Sequence, residues 1–147
     1  MEGVAQVQME TALGVDPGKR RVGLAVSDEL GFLAHPLETI DTKVLDPIER
    51  IAEIAREKSV ATIVVGVPRN MDGSYGPAAD HAKELINTLR ASLTSCKVIG
   101  WDERLSTVQA SRGLQASGVD ARKQKGVIDQ AAAVVILQSW LDSRPSL

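Results

Sequence analysis

Apolar positions along the chain alternate between short β-branched runs and amphipathic stretches. The apolar pattern begins with the run Ala12 to Val15, a predicted short buried strand in the stretch Leu13 to Asp28 (LGVDPGKRRVGLAVSD). It resumes at Arg21 to Ser27, where Val22, Leu24 and Val26 alternate with smaller residues. Between the two runs, Pro17, Gly18 and Lys19 can reverse the chain, because proline presets φ and glycine tolerates positive φ. A hairpin is predicted, with Asp16 at its base. Ala34 to Asp41 predicts a third strand, and Pro36 places it at a sheet edge. Asp46-Pro47-Ile48-Glu49 combines an N-cap, a proline at the first helical position and a glutamate three residues after the cap. A helix is therefore predicted to about Lys58, burying Ile48, Ile51, Ala52, Ile54 and Ala55.

Ala61 to Val67 is apolar on both faces, the pattern of a central strand covered on both sides. A turn-rich loop follows, and Pro77 opens a helix reaching about Arg90. Lys97 to Trp101 predicts a strand ending in Asp102-Glu103-Arg104, and the capping box Ser106 to Gln109 opens a helix running to Ser117. Val119 to Gly126 is expected to be a polar loop, and Val127 to about Asp142 a last helix. Three strands, a helix, a strand, a helix, a strand and two helices make an α/β domain. Right-handed crossovers would render strands one, four and five parallel and the opening meander antiparallel.

Composition narrows the class. The 147 residues, 44% hydrophobic and 24% charged, fit one globular domain over residues 11–147, with residues 1–10 as a floppy extension. That extension has no basic residue and no apolar block, so it does not read as a signal peptide. Nothing is continuously apolar long enough to span a bilayer, which predicts no membrane partner. The single Cys96 permits no internal disulfide and fits a reducing cytoplasm. A formal net charge of -2 does not mark a nucleic-acid binder, so any such binding must come from a local basic patch.

The chemistry-bearing residues gather where ligands gather in open α/β sheets, at the C-terminal ends of the parallel strands. Asp16 follows strand one, Arg69 and Asn70 follow strand four, and Glu103 follows strand five. A turn cap explains Asp16 as well as a catalytic role does, and a surface ion pair with Arg104 would explain Glu103. Asp129 shares a helix stripe with Ala133, Ile136 and Trp140, although an acid near a helix N-terminus is also favoured by the helix dipole. The conjunction weighs more than any one of them. Three carboxylates beside apolar elements can cluster only if divalent cations or trapped protons offset their repulsion.

Four motifs carry a resemblance: the hairpin LGVDPGKRRVGLAVSD, the loop VVGVPRNMDGSYG, the segment WDERLSTVQA and the helix start VIDQAAAVVILQSWLD. Together they resemble the YqgF family, also called RuvX, of ribonuclease H-like proteins, over nearly the whole span from Leu13 to Asp142. The resemblance implies a ribonuclease H-like fold with sheet order 3-2-1-4-5 flanked by helices. It also implies a nuclease maturing the 5′ end of pre-16S ribosomal RNA, or alternatively a Holliday junction resolvase acting on four-way DNA junctions. By motif, the catalytic and metal-binding positions are Asp16, Glu103 and Asp129. Pro17 stands where many members carry an aliphatic residue, and the acidic triad is intact.

Such a triad implies metal-assisted phosphodiester hydrolysis with magnesium or manganese, two ions about 3.5 to 4 Å apart, Asp16 bridging and Glu103 and Asp129 completing each side. Lys19, Arg21, Arg69, Asn70, Arg104, Arg122, Lys123 and Lys125 are the candidate nucleic-acid contacts, whereas Arg20 and Arg56 read as solvated surface charges. Tyr75 is a candidate for base stacking or for local packing. Trp101 and Trp140 read as core, and His35 and His81 receive no role. Two other classes compete: an ATPase using the D-x-G hairpin to hold phosphate, which would need a second such domain, and a noncatalytic nucleic-acid-binding module. The chain would act as a monomer or a homodimer, the latter being what a resolvase needs to cut paired strands.

Overall fold

A computed structural model describes residues 10–70, 72–105 and 121–144, and for residues 121–128 the backbone alone. Thr11–Asp16 (β1), Arg21–Ser27 (β2) and Ala34–Asp41 (β3) form the predicted antiparallel meander. Pro47–Glu57 (α1) leads to Val60–Val67 (β4), Pro77–Ser92 (α2) leads to Lys97–Asp102 (β5), and a 3-10 turn covers Glu103–Leu105. The last helix is Ala121–Ser143 (α3). The five strands make one sheet in the order β3-β2-β1-β4-β5, with β1, β4 and β5 parallel. Pro36 lies on β3, an edge strand, where its missing N–H costs no central ladder bond.

Each face of the sheet has its own core. Leu13, Val15, Ile63 and Val65 pack against Ile51 and Ile54 of α1 and Ile86 and Leu89 of α2. Ala12, Ala25 and Val64 pack against Ala133, Ile136 and Leu137 of α3. The small residues on this second face let a helix backbone come close: a Cβ on Gly14 would lie 2.8 Å from the carbonyl oxygen of Ala133. The helix α1 begins as its sequence predicts, with the Asp46 carboxylate accepting from the amide of Ile48 at 2.9 Å and Pro47 in the first turn. Among the described residues no helix is long and apolar enough to cross a membrane.

The expected polar loop of residues 119–126 is a correction. From Ala121 onward this segment is the start of α3, six residues earlier than Val127. Polarity suggested a loop, but Ala, Arg, Lys and Gln are good helix formers, and Gly126 costs only about 1 kcal/mol against alanine. The predicted helix of residues 106–117 and the extension of residues 1–9 lie outside the described residues.

Between β3 and α1, Arg50 grips Glu38 with two parallel bonds, Nε to Oε2 at 2.9 Å and Nη2 to Oε1 at 2.7 Å. These hydrogen bonds, helped by the Arg50 charge, outweigh partial burial and hold the Glu38 carboxyl below its ordinary value. A depressed folded-state value means stability that is present above the unfolded value of about 4.3 and fades as the pH falls through the folded one. Glu38→Gln is therefore expected to cost about 1 kcal/mol at neutral pH. The difference from wild type should shrink in denaturant titrations carried down through the acid range. A gap unchanged with pH would show that the ion pair contributes nothing.

Candidate active site

Strand alternation places Ala12, Gly14 and Asp16 of β1 on the face covered by α3. Asp16 is the last residue of β1, and its register decides its surroundings. On one side it pairs with Gly23 of β2. On the other, the pair Val15 and Val65 makes Gly66 of β4 its next neighbour. Asp16 thus stands between two glycines at the strand ends. An acidic residue borders the space left by each, alone at Gly23 and beside Ile136 at Gly66. A Cβ on Gly23 would come within 2.1 Å of the main-chain oxygen of Asp129 and 2.9 Å of its Cβ. A Cβ on Gly66 would meet Glu103 Oε1 at 3.1 Å and Ile136 Cδ1 at 2.4 Å. Asp129 therefore lies over Gly23 and Glu103 over Gly66, flanking Asp16 on the same sheet face.

Asp16 and Glu103 are 3% and 1% exposed, a burial that acidic side chains accept only with compensation. Each of the three acids is engaged in a polar or electrostatic interaction. Asp129 is half-buried and is the ninth residue of α3. The helix-dipole explanation for it falls away, since that effect fades beyond the first turn. Its stripe partners Ala133 and Ile136 are fully buried, as the spacing predicts. Among the described residues no three His, Cys, Asp or Glu side chains form a group that could hold a metal ion as they stand. The donor set is nonetheless all carboxylate oxygen, suited to hard divalent cations, and the absence of a side chain at Gly23 and Gly66 is what lets Asp129 and Glu103 approach the sheet beside Asp16.

The turn after Asp16 is held from two directions. His81 of α2 has Nε2 3.3 Å from the Gly18 carbonyl oxygen, and the Thr42 hydroxyl donates to the Lys19 carbonyl at 2.7 Å. A Cβ on Gly18 would sit 2.2 Å from the Arg21 carbonyl oxygen, so the turn needs glycine there. Lys19 is exposed and Arg21 half-buried, while Arg20 pairs with Asp41 at 3.1 Å as a surface charge.

Among the other predicted nucleic-acid contacts, Arg104 and Arg69 are both turned to Asp102, a residue that spacing alone did not single out. Arg104 Nη2 and Arg69 Nη1 lie 3.0 and 3.4 Å from Asp102 Oδ2. Burial opposes ionisation of Asp102, but the Arg104 hydrogen bonds and both guanidinium charges outweigh it and hold its carboxyl below the ordinary value. Arg69 also donates from Nε to the Gly73 carbonyl at 2.8 Å and stacks over Tyr75 at 4.4 Å. Asn70 is tied into its own loop, donating from Nδ2 to the Ser74 hydroxyl at 2.9 Å. Arg122, Lys123 and Lys125 fall on the first turns of α3, and their side chains lie outside the described residues. Trp101 and Trp140, read as core, are half-buried at the margin of the α3 core, and Trp101 donates from Nε1 to the Ser139 hydroxyl at 3.0 Å. Sequence reasoning passed over Gly23 and Gly66; their sign in the sequence is a glycine inside an otherwise apolar strand.

Comparison with known proteins agrees with this architecture. A protein of Acetivibrio thermocellus named "Putative pre-16S rRNA nuclease" is 46% identical over 134 residues, covering 90% of this chain and 95% of its own. One of Geobacillus sp. with the same name is 47% identical over 135 residues, covering 90% of this chain and 97% of its own. Among solved structures, Thermus thermophilus RuvC in complex with a Holliday junction substrate aligns with a TM-score of 0.56 at 13% identity, over 94% of this chain and 99% of that one. At that identity the likeness establishes a ribonuclease H-like fold. The RuvX family, described as Holliday junction resolvase, matches residues 10–143, and this chain belongs to it.

Proposed function

We propose that this protein is a metal-dependent nuclease that hydrolyses phosphodiester bonds in the cytoplasm, and that its substrate is the 5′ end of pre-16S ribosomal RNA. The observation that carries the reading is the row Gly23, Asp16, Gly66, with Asp129 over the first glycine and Glu103 over the second. Asp16, Glu103 and Asp129 would hold magnesium or manganese, one ion or two. Bound there, the metal supplies Lewis acidity that activates water and offsets charge developing on the phosphate and the leaving 3′ oxygen. Asp16 ends β1 and Glu103 opens the 3-10 turn after β5, and both are buried, so each would be offered from a fixed stretch of backbone. Closing the three acids on an ion would ask for side-chain rotation. Lys19 and Arg21 on the anchored turn would contact backbone phosphate, joined by Arg122, Lys123 and Lys125 at the start of α3.

The close relatives named for pre-16S rRNA favour RNA as substrate. The family description favours a second reading, resolution of four-way DNA junctions by a homodimer. Incubating the protein with a precursor rRNA fragment and with a four-way DNA junction, in magnesium and in manganese, separates them. Cleavage of the RNA is expected in either metal and none after chelation. Cutting of the junction alone would overturn the RNA assignment, and metal-independent cutting would overturn the carboxylate site.

A further inference from the structure

A second site opens on the opposite face of the same strand ends. Val67 and Asp102, the last residues of β4 and β5, are register partners, and from them a cavity of about 430 Å³ runs along α2. Its floor is Val67, Ile86 and Gly100. The missing side chain of Gly100 keeps it open, since a Cβ there would approach Ile86 and Val67 at 3.2 Å. Its rim is cationic. Lys83, Asn87 and Arg90 recur at offsets of four and three on one face of α2, all exposed, and Arg69 faces them from the loop after β4. The only carboxylate in this lining, Asp102, is already engaged by Arg69 and Arg104. Three cations against one engaged carboxylate make this an electropositive pocket on a chain whose net charge is -2.

Tyr75 supplies the aromatic wall. It is 48% exposed, and Lys83 Nζ lies 3.5 Å and Arg69 Cζ 4.4 Å from its ring centroid. The ring therefore holds the Lys83 ammonium beside the Asp102-paired Arg69, and Lys83 keeps its charge for an incoming anion. An apolar floor, an aromatic wall, a cationic rim and the Asn87 amide, which can donate and accept, are the features a nucleotide requires: a face for the base, charge for the phosphate and a reader for a base edge. The volume lies within the range of small-ligand sites, about 300 to 1,000 Å³. The geometry points to this pocket as a binding site for one nucleotide, base and phosphate together. That nucleotide belongs to a single strand crossing the ends of β4 and β5 toward Glu103. The assignment to a strand rests on the nuclease function proposed above; the pocket's preference for nucleotide phosphate does not.

Binding assays on the full chain in chelator, where no metal contributes, test it. The probes are a short fluorescent single-stranded RNA and AMP. Lys83→Glu combined with Asn87→Glu alters only exposed positions of α2, and Tyr75→Ala removes the wall without touching the helix. The charge-reversed variant is expected to bind RNA about tenfold more weakly, and its plot of log affinity against log salt should flatten by about 0.7 for each phosphate it no longer neutralises. Tyr75→Ala should weaken RNA binding and leave that slope unchanged. Loss of RNA affinity without AMP binding identifies the occupant as part of a strand; AMP binding that both variants lose identifies free nucleotide as an occupant too. RNA and AMP affinities unaffected in both correctly folded variants would overturn the pocket. With metal restored, the charge-reversed variant should raise KM for RNA cleavage and keep kcat. If Asp16→Asn still cleaves, the metal-site reading fails while the binding result stands on its own.

Discussion

Asp16→Asn is expected to lower RNA cleavage by about a thousandfold while costing less than about 1 kcal/mol of stability. The two halves have one cause. Asp16 is 3% exposed, and a neutral side chain of the same shape costs less to bury than a carboxylate. An amide keeps the shape and much of the hydrogen bonding, so the fold should hold. The same change would remove the middle one of the three proposed donors, the residue between the glycine that Asp129 overlies and the glycine that Glu103 approaches. Several kcal/mol of electrostatic stabilisation would be lost, and that is the expected thousandfold. Paired measurements of cleavage rate and thermal unfolding check it. Wild-type cleavage by a folded Asp16→Asn protein would remove the carboxylate mechanism altogether.

The second large effect should come from a residue with no side chain. Gly23→Ala is expected to destabilise the fold by about 1 to 3 kcal/mol and to abolish most activity, whereas Gly66→Ala should cost far less stability. Both substitutions place a methyl under α3, but what it meets differs. At Gly23 the obstruction is main chain, the Asp129 carbonyl at 2.1 Å, which can move only if the helix moves. At Gly66 the nearest atom is the terminal methyl of Ile136 at 2.4 Å, which can rotate away, with Glu103 Oε1 next at 3.1 Å. Gly66→Ala should therefore act on catalysis through Glu103 more than on folding. Denaturant titrations with cleavage assays on both variants test the contrast. Equal stability losses would mean that α3 does not seat on β2 as closely as its backbone indicates.

Much of the architecture is legible in local pattern because local pattern is its cause. Period-two alternation in Arg21–Ser27, the two-sided apolar run of Ala61–Val67 and the Asp46-Pro47 cap each act within a few residues, and β2, β4 and α1 lie where they predict to within a residue. The start of α3 escaped this reasoning. Residues 121–126 are polar enough to resemble a loop, but helix propensity carries them into the helix.

The acids were visible one at a time. Asp16, Glu103 and Asp129 each had a bland explanation, a turn cap, a surface ion pair and a dipole-favoured acid, and the structure removes the last of these by setting Asp129 in the third turn of α3. Their association depends on register. Nothing in the spacing from 16 to 66 or from 16 to 23 says that Asp16 ends between two glycines, because neighbours across a sheet are chosen by the packing of whole strands. The same holds for Arg69 and Arg104. As isolated basic residues they were candidate phosphate contacts, and only the fold brings Asp102 between them. The sequence by itself determined the elements, their order and the chemical types at the strand ends, since these follow from periodicity, caps and turn residues. Tertiary structure alone decided which carboxylates share a floor, which cations are already engaged and where Lys83, Asn87, Arg90 and Tyr75 face one another. The acids and the Arg69–Asp102 pair join segments far apart in the chain, brought together by burial and strand register, and the cluster on α2 faces Arg69 and Asp102 only because that helix packs on β4 and β5.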